Sequence, residues 1–168
     1  MFLVVLLLLK LFRKKNQSRT FIYLVGERNS GKTRLLYKLT GGKDFDTVPS
    51  CKNNVTPLVV DGQVRTVVDV TGDMHSKEEF LSNIIRATKI VLVVDGANTQ
   101  SFGATAELLY RISTSKVFQD NAPDILIALN KSDRAEFVGE RMFKKQLEDE
   151  IERIKLSRKA MIEDREGE

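Results

Sequence analysis

Residues 20–39 read "TFIYLVGERNSGKTRLLYKL", and no other stretch restricts the fold as much. Thr20 to Val25 is a short apolar run of the buried-strand kind, and Lys32 to Leu39 brings Leu35, Leu36 and Leu39 to one side of a helix. Between them Gly26 to Thr33, "GERNSGKT", matches G-x-x-x-x-G-K-[ST] at every fixed position. Gly26 and Gly31 let the backbone wrap a polyphosphate so that successive N–H groups point inward, with Glu27, Arg28, Asn29 and Ser30 completing the cradle. The Lys32 ammonium then reaches the β and γ phosphates, and the Thr33 hydroxyl binds Mg²⁺. A glycine turn with one exposed lysine is the plainer alternative, and the strand-loop-helix setting disfavours it.

The remaining pattern places that loop in a sheet. Val55 to Val60 and Val64 to Val70 are β-branched runs joined by "DGQ", which predicts an antiparallel hairpin. "KIVLVVD", Lys89 to Asp95, and "DILIALN", Asp124 to Asn130, are almost continuously apolar, as strands covered on both faces must be. Helical spacing links Phe80, Leu81, Ile84 and Ile85, then Leu108, Leu109 and Ile112, then Phe143, Leu147, Ile151 and Ile154. The expectation is α/β: a doubly wound, mostly parallel sheet of five strands with four helices and one antiparallel edge hairpin.

Phosphate loops serve adenine and guanine nucleotides alike, so the base must be read elsewhere. "NKSD", Asn130 to Asp133, stands just past the carboxyl end of a buried strand, the edge where open α/β sheets bind ligands. An ionised Asp133 accepts from guanine N1–H and the exocyclic amine, donors that adenine does not present together. Asn130 supports the loop and the Lys131 stem lies over the ring. A polar helix cap is the ordinary alternative. Between the two motifs "VVDVTGD" puts Asp69 at a strand end, where a carboxylate holds Mg²⁺ through water, and Gly72 where an N–H senses a γ phosphate. Read by itself it would be a strand-ending turn.

With 168 residues, 42% hydrophobic and 30% charged, the chain has room for one core. The single cysteine, Cys51, forms no internal disulfide, which fits a reducing compartment. A net charge of +4 is too mild to imply nucleic acid unless the bases cluster, and where they do, at Arg13 to Lys15, no aromatic residues are interleaved. That cluster follows "FLVVLLLLKLF", Phe2 to Phe12, an order resembling the cytosolic end of a membrane anchor. Eleven helical residues span about 17 Å against a hydrocarbon core of roughly 30 Å, so the expected segmentation is an incomplete anchor over 1–12. A basic linker over 13–19, a nucleotide domain over 20–160 and a polar tail over 161–168 complete it.

These motifs resemble the small GTPases of the Ras superfamily, closest to the Arf and Sar branch. "TVPS", Thr47 to Ser50, is similar to the switch motif T-I-P-T, which aligns Ser50 with the hydroxyl that closes on Mg²⁺. A narrower resemblance runs from about Lys10 to Ala160. "KLFRKKNQSR", "GERNSGKT", "DVTGD", "VLVVD", "LIALNKSD" and "QLEDEIERIKLSRKA" follow in the order and spacing of the signal recognition particle receptor beta subunit family.

That resemblance implies a GTP-binding domain facing the cytosol, anchored at the endoplasmic reticulum membrane and gripping the receptor's alpha subunit in its Mg²⁺-GTP state. Two departures qualify it. Family members carry a further base-contacting loop, strand and helix for which 161–168 is too short. Asp73 stands where the family places the water-orienting glutamine or histidine; a carboxylate beside a γ phosphate repels it, so hydrolysis is expected to be slow or negligible. His75 is the nearest imidazole, with solvent exposure its ordinary role, and the same holds for Arg28 as a built-in γ-phosphate cation. The rival expectations are an Arf-like GTPase of vesicle traffic, a truncated scaffold that binds its partner without nucleotide, and an ATP-binding phosphate-loop protein, the last disfavoured by "NKSD".

Overall fold

The computed structural model describes residues 21–41, 53–60 and 62–166. The apolar segment 2–12, the basic linker, Cys51 and the switch-like motif Thr47 to Ser50 lie outside the described residues.

Among the described residues five strands form one sheet, β1 (Phe21–Val25), β2 (Asn54–Val60), β3 (Gln63–Asp69), β4 (Ala87–Asp95) and β5 (Asp124–Asn130), in the order β2-β3-β1-β4-β5. β1 pairs in parallel with both β3 and β4, β4 pairs in parallel with β5, and only β2 against β3 is antiparallel, with Val59 opposite Val64 beside the turn. The α/β sheet with one edge hairpin is therefore as the sequence implies. Its register lines up Leu24 with Asp69 and Asp95 with Asn130, so that both carboxylates and the amide arrive at one edge.

Alternation along the strands divides the core. Tyr23 and Val25 of β1, Ile90, Leu92 and Val94 of β4, and Ile125, Ile127 and Leu129 of β5 face a cluster closed by helices on that side. Helix α2 (Met74–Asn83) contributes Phe80, and α3 (Phe102–Thr114) contributes Phe102, Ala106, Leu109 and Ile112. The opposite face carries Leu24 and Val67 against Leu36 of α1 (Lys32–Leu39), with Ile22, Leu58 and Val91 half-buried around them. Burying each large aliphatic side chain stabilises by about 1.5–3 kcal/mol, which makes the two clusters the main reason the sheet holds.

Two elements differ from expectation. A fifth helix, α4 (Lys116–Asn121), has only six residues and buries only Phe118, too little for a helical period to show. It is set by Ser115, whose hydroxyl accepts from the Phe118 N–H at 3.2 Å, and it ends at Ala122 with φ 38°. Helix α5 (Glu140–Glu166) runs 27 residues, well past the helical face read from Phe143 to Ile154. Its first turns dock on α3, with the Phe102 and Phe143 rings 4.9 Å apart at 83°, while Leu156, Met161 and Ile162 are exposed.

Candidate functional site

The phosphate loop, the turn after Asp69 and the loop from Asn130 follow β1, β3 and β5 and lie together at the carboxyl edge of the parallel strands, whereas the turn between β2 and β3 lies at the other edge. The phosphate loop leaves β1 at Gly26, takes a left-handed turn at Asn29 with φ 61°, and enters α1 through Gly31 with φ 94°. Asparagine tolerates that region better than most residues. Gly31 has a second constraint, because a Cβ there would fall on the Asn130 amide. Only glycine lets the two loops meet.

They meet by a hydrogen bond. Asn130 Nδ2 donates to the Ser30 carbonyl at 2.8 Å, joining residues one hundred apart in sequence. Ser30 is fully buried and its hydroxyl has no partner. Next in the same loop, Lys131 adopts φ 64° and lays its ammonium on Asp95 at 2.6 Å, which fixes the side-chain stem. Asp95 was not singled out in the sequence, although it ends an apolar strand as Asp69 does. Asp133 is exposed and has no side-chain partner among the described residues, leaving both carboxylate oxygens open.

Lys32 is buried within the cradle, donating to the carbonyls of Gly26 at 3.1 Å and Glu27 at 2.8 Å. Burial lowers its pKa to about 8, against the attraction of Asp69. An ammonium desolvated in this way is improved by any anion that joins it. Arg28 is exposed beside it.

Thr33 and Asp69 face each other, the hydroxyl donating to Oδ2 at 2.7 Å. Asp69 is 2% exposed, and its Oδ1 has no hydrogen-bond partner. A buried carboxylate oxygen without a donor beside a hydroxyl is an oxygen-only pair of the kind Mg²⁺ takes, so these residues fit that ion.

Gly72 closes the arrangement. A Cβ on it would stand 2.5 Å from the Arg28 backbone nitrogen, so the chain passes the phosphate loop as closely as glycine allows. The next residue, Asp73, caps α2: its carboxylate accepts from the Ser76 N–H at 2.9 Å and from the Thr71 hydroxyl. Those bonds, the Thr71 one foremost, hold its pKa below the usual carboxylate range. His75 is exposed on the first turn of α2.

Comparison with known proteins agrees with this geometry. The family profile described as "Signal recognition particle receptor beta subunit" matches residues 16–168. The human signal recognition particle receptor subunit beta is 32% identical over 163 residues, 94% of this chain and 60% of that protein. The rat ADP-ribosylation factor-like protein 5A is 24% identical over 128 residues, covering 76% of this chain and 70% of that one. Among solved structures, "The Structure of the Mammalian SRP Receptor" superposes with a TM-score of 0.74 at 29% identity, over 82% of this chain and 76% of that chain. The chain spans about 60% of the length of the curated receptor subunits it matches.

Proposed function

This chain belongs to the signal recognition particle receptor beta subunit family, and from that premise we propose that it is a GTP-binding switch subunit that holds the receptor's alpha subunit at the endoplasmic reticulum membrane. The observation that carries the reading is the bond from Asn130 Nδ2 to the Ser30 carbonyl. It sets the base-reading loop at a fixed distance from the phosphate cradle, so one ligand with a purine at one end and a polyphosphate at the other occupies both.

Each residue then has a task. Asp133 accepts two hydrogen bonds from guanine, and Lys131, steadied by Asp95, covers the ring with its stem. Gly26 to Gly31 present backbone N–H groups to the phosphates, and Lys32 supplies the charge. Thr33 and Asp69, with Ser50, would hold Mg²⁺, which neutralises charge between the β and γ phosphates. Gly72 is near enough to Arg28 for a third phosphate to be felt at the start of α2.

Hydrolysis is slow or negligible in this scheme. Asp73 is engaged as a helix cap and His75 is exposed on the first turn of α2, so neither is assigned the orienting of an attacking water. The chain therefore works by binding: in its GTP state residues 44–54 and 71–78 form one partner surface, and that surface holds the alpha subunit. Among the described residues no helix is long and apolar enough to cross a membrane; attachment is assigned to the apolar run Phe2 to Phe12 and the bases after it.

The reading is tested by capture of the receptor alpha subunit with the full chain loaded with GTP or GDP. Capture with GTP, loss with GDP and loss in Lys32→Ala are expected. Equal capture in all three would instead describe a scaffold that needs no nucleotide.

A further inference from the structure

Lys77 takes no part in the scheme above, yet its ammonium lies against the phosphate loop. It stands on the second turn of α2 and pairs with the Glu27 carboxylate, the two side chains 14% and 25% exposed. Glu27 is thereby held at both ends, since its carbonyl accepts from Lys32 at 2.8 Å. The platform that carries Lys77 is firm. Asp73 caps the helix before it, the Thr71 and Ser76 hydroxyls bond at 2.6 Å, and Phe80, one turn on, is 2% exposed in the core. Gly72, at the entrance to that helix, abuts Arg28, the neighbour of Glu27. The helix charge at Glu78 turns outward to Arg111 on α3 instead.

We propose that the Glu27–Lys77 ion pair is a latch that keeps the start of α2 closed on the phosphate loop and so slows release of bound nucleotide. It rests on the nucleotide-binding reading. The cradle opens only if the loop and the helix separate, and Glu27 with Lys77 is the charged link between those two elements among the described residues. A partly buried pair is screened less by salt than a surface pair, so its contribution persists at physiological ionic strength.

A latch and a simple electrostatic influence on the phosphates differ in sign. If only the field mattered, Glu27→Gln would remove a negative charge and slow release, while Lys77→Gln would remove a positive one and speed it. A latch is broken by either change. The measurement is the dissociation rate of a fluorescent guanosine diphosphate from the full chain in detergent with Mg²⁺.

Both single variants are expected to release about five times faster than wild type. Lys77→Arg is expected to keep the wild-type rate, and the swap Glu27→Lys with Lys77→Glu to recover most of the loss. Melting temperatures recorded alongside separate a latch from general unfolding, because the swap restores release only if the pair itself acts. Opposite effects of the two single variants, unchanged rates, or a swap no slower than the singles would overturn the latch. A wild-type chain that retains no guanine nucleotide would instead overturn the binding reading, and the latch with it.

Discussion

Thr33 and Asp69 stand 36 residues apart in sequence, and their side chains meet at 2.7 Å, with the second Asp69 oxygen buried and without a hydrogen-bond donor. Leaving such an oxygen unsatisfied costs about 1–3 kcal/mol, more when it is charged. The sheet register that places Asp69 beside Leu24, one residue before the loop-bearing end of β1, creates the arrangement. In the proposed reading a divalent cation would complete it.

Asp69→Asn keeps an acceptor for Thr33 while removing the charge. It is expected to leave the melting temperature of the nucleotide-free chain unchanged or raised, and to reduce the Mg²⁺ enhancement of GTP affinity by about 10- to 100-fold. Titrations with and without EDTA check this, and an enhancement equal to that of wild type would remove Asp69 from the ion's site.

Lys32 gives a pH signature. Its pKa is about 8 in the folded chain against an ordinary 10.5, so between those values the unfolded chain binds more protons. Stability of the nucleotide-free protein should therefore rise with pH from about 8 to about 10.5 through this group, and gain nothing from it below 8. A polyphosphate in the cradle raises the pKa again. Binding at pH 8.5 should take up part of a proton, and binding at pH 7 almost none. Calorimetry in two buffers of different ionisation heat reads the difference; equal heats at pH 8.5 would contradict the placement of Lys32.

Gly72→Ala forces a Cβ to within 2.5 Å of the Arg28 nitrogen, and backbone cannot move aside cheaply there. A loss of about 1–3 kcal/mol in stability is expected, with a smaller ratio of GTP to GDP affinity because the loop and α2 no longer close together. Denaturant melts and paired nucleotide titrations measure the two effects.

Asp73 separates capping from catalysis. Asp73→Asn retains a capping side chain and should melt near wild type, whereas Asp73→Ala should melt several degrees lower. Acid reveals the same group, whose carboxyl pKa is held down by Thr71 and Ser76. Its stabilisation is present above its ordinary range and is lost as pH falls through the lowered folded value. Single-turnover GTP hydrolysis should be equally slow in all three proteins, and a tenfold fall on substitution would make Asp73 catalytic after all.

Much of this was legible in the sequence because it rests on short, strong patterns. β4 and β5 are buried on both faces, so Ile90 to Val94 and Ile125 to Leu129 are read as apolar runs without any knowledge of their neighbours. The loop Gly26 to Thr33 and the Asn130 to Asp133 turn carry their chemistry in consecutive residues. What was not legible depends on contacts between distant segments. Nothing near Ser30 announces that Asn130 bonds its carbonyl, and nothing near Lys77 announces Glu27. Helix α4 hid for another reason, since six residues with one buried aromatic have no period to detect. Asp73 is readable as a cap, three residues before Ser76, but its place after a glycine draws attention to the water-orienting position instead.

The most direct measurement is the affinity of residues 17–168 for GTP and for ATP in excess Mg²⁺. With Asp133 open at the sheet edge and the cradle bonded to its loop, GTP is expected to bind at least about a hundredfold more tightly, and Asp133→Asn to shift preference toward xanthosine triphosphate. Comparable affinities for GTP and ATP, or no binding of either, would contradict the account.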